Sequence, residues 1–272
     1  MPIKADFHLH SNFSGDSKTP MEQMIQKAID LNLKTMCFTE HHDTDYPDAN
    51  GNFVDTFTLN PDSYLYELLK LKEKYANQIQ ILFGLELGLQ PHLKRTNQMF
   101  ARAHDYDFII GSSHISKGKD PFFQSFYEGR TEALAYQEYF ESILENIKCF
   151  YDYDVYGHLD YVVRYGPTKN KNYSYSQYAD LFDEILKLLI ENEKGIELNT
   201  GGLKYGLGEP NPCFQIIKRY KELGGEIITV GSDAHAPEHI AYDFSIAESI
   251  LKDCGYRYYT IFEKRMPEFI TL

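Results

Sequence analysis

The strongest constraint on the fold is an alternation of seven short apolar, β-rich runs with seven amphipathic stretches of helical period. The runs fall near residues 3–8, 34–39, 79–86, 108–112, 155–158, 195–199 and 226–231, and the helical stretches near 20–31, 61–75, 93–104, 131–150, 175–193, 211–223 and 240–254. Strands that alternate with helices through short connections pair in parallel. Seven such units predict an α/β protein of the distorted (β/α)7 TIM-like barrel class rather than an open sheet. The first helix carries a start signal, with Thr19 as N-cap, Pro20 at the first helical position and Glu22 three residues after the cap. No linker, low-complexity stretch or charge block interrupts the 272 residues, so a single domain over 1–272 is expected.

Polar residues cluster where this map places the carboxyl ends of strands. Six of the ten histidines recur there: His8 and His10 after the first run, His41 after the second, His114 after the fourth, His158 ending the fifth and His235 after the seventh. Glu86 ends the third run, Ile81-Leu82-Phe83-Gly84-Leu85-Glu86, and Asp233 follows the seventh in Gly231-Ser232-Asp233-Ala234-His235. Barrels build their active sites at this rim, from the loops of different strands. Imidazole nitrogen and carboxylate oxygen are the usual ligands of Zn²⁺, Mn²⁺ and Fe²⁺, and residues two apart on a strand face the same way, so His8 and His10 are placed to share one ion. A single histidine at a strand end is commonly a hydrogen-bonded structural residue; the joint pattern is what points to metal. His92, His104 and His239 sit in helical or helix-start contexts and are left out.

Composition narrows the partners. Forty acidic residues against 27 basic give a formal charge of −13, which opposes nucleic-acid binding, since that affinity comes largely from Lys and Arg neutralising phosphates. A metal cluster would still draw a compact phosphate or carboxylate to one pocket. No apolar run approaches membrane length, and the first residues carry no apolar secretion segment. Cys37, Cys149, Cys213 and Cys254 are scattered with no CxxC spacing, as expected of reduced thiols in a cytoplasmic protein.

The ordered series His8-Leu9-His10, Thr39-Glu40-His41-His42-Asp43, Gly84-Leu85-Glu86, Ser113-His114, Gly157-His158 and Gly231-Ser232-Asp233-Ala234-His235 resembles the polymerase and histidinol phosphatase (PHP) superfamily. Within it, the stretches 157–166 and 197–204 resemble the monofunctional histidinol-phosphatases. The resemblance implies a distorted (β/α)7 barrel holding up to three divalent ions, Zn, Mn or Fe. By that resemblance one ion takes His8, His10, Glu86 and Asp233, and Glu86 bridges to a second ion held by His114 and His158. The third takes Asp16, His41 and His235. Some relatives have histidine where this chain has Asp16; an oxygen donor there remains competent and lowers the charge of the cluster.

The implied activity is hydrolysis of the phosphomonoester L-histidinol phosphate to L-histidinol and inorganic phosphate, a late step of histidine biosynthesis. Two ions sharing Glu86 would lower the pKa of a water between them and hold the resulting bridging hydroxide in line with phosphorus. Arg164 is expected to clamp the phosphate through its planar donors, with Lys204 a second candidate, and Asp160 or a protonated His42 to protonate the leaving alcohol. Three alternatives stay open: another PHP phosphoesterase acting on a nucleotide or sugar phosphate, a metal-binding PHP module without catalysis, and an amidohydrolase-like barrel. The carboxylate Glu86 after the third strand, and the lack of a lysine suited to carbamylation at a strand end, argue against the last. The sequence does not indicate an oligomeric state.

Overall fold

Eleven strands and eight α-helices follow one another in the computed structural model, which describes residues 3–272. In chain order they are β1 (Ala5–Leu9), α1 (Met21–Asp30), β2 (Thr35–His42), β3 (Tyr46–Pro47), β4 (Phe53–Val54), α2 (Pro61–Tyr75), β5 (Gln80–Gly88), α3 (Lys94–Ala101), β6 (Phe108–Ser112), α4 (Glu132–Cys149), β7 (Val155–Tyr156), α5 (Ala179–Glu191), β8 (Gly195–Asn199), α6 (Gly201–Lys204), α7 (Phe214–Glu222), β9 (Ile228–Gly231), α8 (Phe244–Asp253), β10 (Tyr258–Glu263) and β11 (Met266–Thr271). Seven of the strands form one sheet in the order β1-β2-β5-β6-β7-β8-β9, every neighbouring pair parallel. Their residues are almost all buried, as strands covered on both faces must be, which is why they read in sequence as near-continuous apolar runs.

The sheet curls until its first and last strands nearly meet. One parallel bridge, Leu9 to Ala234, spans the seam, with Asp233 N–H donating to His8 O at 2.9 Å and His10 N–H to Ala234 O at 2.9 Å. Asp6, buried in β1, stitches the same seam by accepting from Ser232 N, Ser232 Oγ and Ala241 N at 2.9, 2.6 and 2.9 Å. The backbone groups of the seam thus satisfy one another across strands that are far apart in the chain.

Register decides what meets at the carboxyl rim. Along the β2–β5 ladder His41 lies directly beside Glu86. In β1 an extra residue separates Asp6 and Leu9 relative to their partners Met36 and Phe38, a bulge at the level of His8 that changes where the following side chains point. The opposite end is closed by the β10–β11 hairpin: Phe262 packs on Phe108, Phe108 on Phe7, and Arg265 pairs with Asp154 at 2.5 Å.

Several boundaries differ from the sequence reading. α1 begins at Met21 with Pro20 as its N-cap and no side-chain cap, because the Thr19 hydroxyl is drawn instead to the carbonyl of His235 at 3.1 Å, and Glu22 binds Lys74 and Tyr75. β2 extends through His42 and β5 through Gly88, so His41 and Glu86 lie within strands, whereas β7 stops two residues before His158. Neither hairpin is legible in the sequence. β3 and β4 are too short to show a period, and Pro267 in β11 argues by itself against a strand. Among the described residues no helix is long and apolar enough to cross a membrane.

Gly231 is required where β9 passes β1: a Cβ there would overlap His8 Cβ and Glu197 Oε1. Gly231→Ala is expected to cost about 1–3 kcal/mol through overpacking. Urea unfolding should show a lowered midpoint; an unchanged midpoint would contradict this packing.

Candidate metal centre

Glu86 is completely buried, and its two carboxylate oxygens face different sets of imidazoles. Oε2 lies 3.1 Å from His8 Nε2 and 3.5 Å from His10 Nε2. Asp233 Oδ1 completes that group at 3.8 and 3.7 Å from the same nitrogens. Oε1 lies 3.2 Å from His114 Nε2 and 2.9 Å from His158 Nε2, and also accepts from Ser112 Oγ at 2.7 Å. A third group stands at the rim, where His235 Nε2 is 3.0 Å and His41 Nε2 3.7 Å from Asp16 Oδ2. His10, His41 and His235 also converge, the His10 ring stacking at 4.2 Å on each of the other two. The structure therefore brings all nine residues singled out from the sequence into one cluster.

The donor set fits divalent cations. His8 Nε2, His10 Nε2, His235 Nε2 and Glu86 Oε2 are buried with no hydrogen-bond partner among the described residues, although the first two face Glu86 Oε2 and His235 converges with His10 and His41. Buried polar atoms are normally paired, and mutually facing lone pairs at these separations suit ions that take nitrogen and oxygen ligands at ~2.0–2.2 Å. Electrostatics agree. Burial pushes the Glu86 and Asp233 carboxyls up, but neighbouring cationic groups, His8 foremost, outweigh it and hold both well below the usual carboxylate range. Burial likewise opposes charge on His41, yet Glu86 and Asp16 raise it to about 9. Two carboxylates this deeply buried demand positive charge beside them.

Groups behind the candidate ligands fix their orientation. Glu197, buried in β8, sits 2.6 Å from His8 Nδ1 and accepts from His158 N at 3.1 Å. Asp43 Oδ1 lies 2.8 Å from His114 Nδ1. The Ser14 hydroxyl donates its one hydrogen to Glu40, so it accepts both from His41 N and from His10 Nδ1, each at 3.0 Å. That leaves His10 Nε2 as the free lone pair. A carboxylate or hydroxyl behind a ligand imidazole is the common way to select its tautomer. Sequence reading gave no role to Glu197, Asp43 or Glu40. The available signal was a carboxylate inside or beside an apolar strand run, as in Ile196-Glu197-Leu198.

Of the four residues expected to serve substrate or proton transfer, Arg164 alone reaches the cavity above the cluster. His42, next to His41 in β2, points to the opposite side. Its ring stacks on Phe100 at 3.6 Å, its Nδ1 accepts from Leu59 N, and burial lowers it to about 4, so it is neutral near pH 7 and faces away from the cluster. Asp160 accepts from Asn211 Nδ2, Cys213 N and Tyr173 OH, which turns its carboxylate toward the start of α7. Lys204 lies in the one-turn α6, and its Nζ donates to the backbone carbonyl of Asp233 at 3.1 Å. Arg164 is buried, with Nε donating to Asn211 Oδ1, Nη1 to Asp233 Oδ2 and Nη2 to Asn199 Oδ1 at 2.7, 2.8 and 2.9 Å. Three of its five N–H groups are thus committed to protein, one of them to a candidate ligand.

A cavity of about 440 Å³ opens above the cluster. His41, His114, His158, Asp233 and His235 reach its surface, as does Arg164, while His8, His10 and Glu86 lie beneath. His42, Asp160 and Lys204 are not among its lining residues.

Comparison with known proteins fits this geometry. A family model described as PHP domain matches residues 6–201. A histidinol-phosphatase of Lactococcus lactis is 32% identical over 254 residues, covering 93% of this chain and 92% of that protein. A protein named probable histidinol-phosphatase from Clostridium acetobutylicum is 32% identical over 267 residues, covering 97% of this chain and 98% of that one. Among solved structures, the histidinol phosphate phosphatase of Lactococcus lactis, complexed with zinc, L-histidinol and phosphate, superposes with a TM-score of 0.90 at 30% identity, covering 98% of this chain and 99% of that one.

Replacing Glu197 with alanine is expected to weaken zinc retention about 10–100-fold while leaving the circular dichroism spectrum intact. Competition against a chromophoric chelator measures this; unchanged affinity would remove Glu197 from the centre.

Proposed function

Since the chain belongs to the PHP domain family and shares about a third of its residues with histidinol-phosphatases over nearly its whole length, we propose that it hydrolyses L-histidinol phosphate to L-histidinol and inorganic phosphate. The observation that carries this reading is the disposition of Glu86, whose two oxygens serve two groups of imidazoles directly beneath a cavity of substrate size. In this reading His8, His10, Glu86 and Asp233 hold one ion, Glu86, His114 and His158 a second, and Asp16, His41 and His235 a third. Zinc, manganese and iron all suit this mixture of donors.

When bound, such ions neutralise the phosphate oxygens and bring the pKa of water toward neutrality, which supplies both the nucleophile and the stabilisation of developing charge. The chain's own residues do the positioning. Glu197, Asp43 and the Ser14–Glu40 pair hold the His8, His114 and His10 rings so that their Nε2 atoms face inward. Asp233, two residues after β9, adopts a left-handed backbone with φ of 54°, and its carboxylate lies beside His8 and His10. Arg164 braces that carboxylate, and its two remaining N–H groups are available to a phosphate oxygen at the cavity surface. The acidic surface, with a formal charge of −13, disfavours a polyanionic substrate, so the partner in this reading is a small phosphomonoester and not nucleic acid. In this reading the protein acts in the cytoplasm.

A phosphate-release screen of zinc-, manganese- and iron-loaded protein across small phosphomonoesters tests the assignment. Histidinol phosphate is expected to give the highest kcat/KM; a clear preference for a nucleotide or sugar phosphate would overturn it. Glu86→Ala should abolish turnover and lower metal content with the fold retained, and full activity in that variant would refute the bridging role. Arg164→Lys should lower metal content and kcat together, because a single ammonium cannot reproduce bonds to Asn211, Asp233 and Asn199. Unchanged metal content with a raised KM alone would mean that Arg164 acts only on substrate.

A further inference from the structure

Above the candidate metal centre the cavity has two aromatic walls. One runs from His41 to Phe57, at 5.3 Å between ring centroids, and on to Tyr46 at 4.5 Å. The other runs from His158 to Tyr161 at 5.0 Å, then to Tyr165 at 5.1 Å and Phe122 at 5.4 Å. Asp120 joins them. The Tyr46 hydroxyl donates to its Oδ2, and the Phe122 N–H, from the second wall, donates to its Oδ1 at 2.7 Å. This carboxylate is only 2% exposed yet belongs to the cavity lining.

A carboxylate in such surroundings is costly, and its partners here are a hydroxyl and an amide, neither of them charged. Burial raises Asp120 to about 6, which still leaves it mostly ionised at neutral pH. The other acidic groups along the cavity are engaged elsewhere. Asp43 orients His114, Asp16 faces His235 and His41, and Asp48 accepts from Asn50 and Asn52 within its own loop. Asp120 makes no ion pair with any of the nine candidate ligands among the described residues, so its charge is available to a bound molecule.

We propose that Asp120, held in place by Tyr46, receives the ammonium group of the substrate and makes the enzyme selective for cationic phosphomonoesters. The aromatic walls supply faces for a planar heterocycle, and the phosphate lies over the metal cluster at their base. This assignment rests on the histidinol phosphate reading and extends it by naming the carboxylate that recognises the amine.

The test compares L-histidinol phosphate with 3-(imidazol-4-yl)propyl phosphate, which keeps the ring and the phosphate but lacks the amine. The zinc-loaded wild-type protein should favour the amine-bearing substrate in kcat/KM by about 10–150-fold, the range for a hydrogen-bonded charged group. In Asp120→Asn that ratio should fall to within about threefold of unity. Tyr46→Phe, which keeps the carboxylate but frees it, should reduce the ratio partially, and it serves as the test if Asp120→Asn does not fold. A wild-type ratio near unity, or a ratio unaltered in the variants, overturns the proposal. If the wild-type protein instead prefers phosphomonoesters unrelated to histidinol phosphate, the functional reading itself fails, which is a different result.

Discussion

A single buried carboxylate shared between two sets of imidazoles organises the upper half of this barrel. Glu86 has no exposure to water, and its charge is tolerable because His8, His10 and His41 meet one oxygen while His114 and His158 meet the other. Those five rings come from β1 and the residue just after it, from β2, from the segment after β6 and from the segment after β7, so satisfying one side chain requires the strand order β1-β2-β5-β6-β7 to be in place. Removing one partner from such a buried charge pair typically costs about 3–5 kcal/mol. The site and the fold are therefore coupled, with the cluster acting as a tie across strands that share few covalent neighbours.

The same logic explains the residues behind the cluster. Glu197 in β8 reaches His8 in β1, and Arg164 after β7 reaches Asp233 after β9. Each contact both fixes a candidate ligand and links two parts of the barrel. Asp233 illustrates the cost: a left-handed backbone is uncommon for a residue with a side chain, and here it is over-determined by the His8 carbonyl on its N–H, Lys204 on its carbonyl and Arg164 on its carboxylate. Strain retained at such a position marks a residue whose direction matters to function.

Much of this was legible in the sequence, and the boundary of legibility has a physical origin. The strand-end recurrence of His8, His10, His41, His114, His158, Asp233 and His235 identifies the rim because parallel strands all deliver their carboxyl ends to the same side. Glu86 stands out because a carboxylate inside an apolar run must have a partner. His42 turns away because adjacent residues on a strand face opposite ways, so a His-His pair offers one side chain to the site and one to the helix behind it, here Phe100 of α3. For Arg164, a sequence shows the donors of a guanidinium but not which of them are already taken by Asn211, Asp233 and Asn199. In the same way a sequence does not show that Asp160 is engaged by Asn211, Cys213 and Tyr173, or Lys204 by the Asp233 carbonyl. Thr19 carries a sound capping signal that a tertiary acceptor, the His235 carbonyl, outcompetes.

The central claim is that ions occupy the two faces of Glu86. The most direct measurement is a diffraction experiment on crystals grown with zinc, recorded on both sides of the zinc absorption edge. The account predicts anomalous peaks within bonding distance of both Glu86 oxygens, one shared with His8, His10 and Asp233 and the other with His114 and His158. Ordered protein with these side chains converging on Glu86, but no anomalous signal there under saturating zinc, would contradict it.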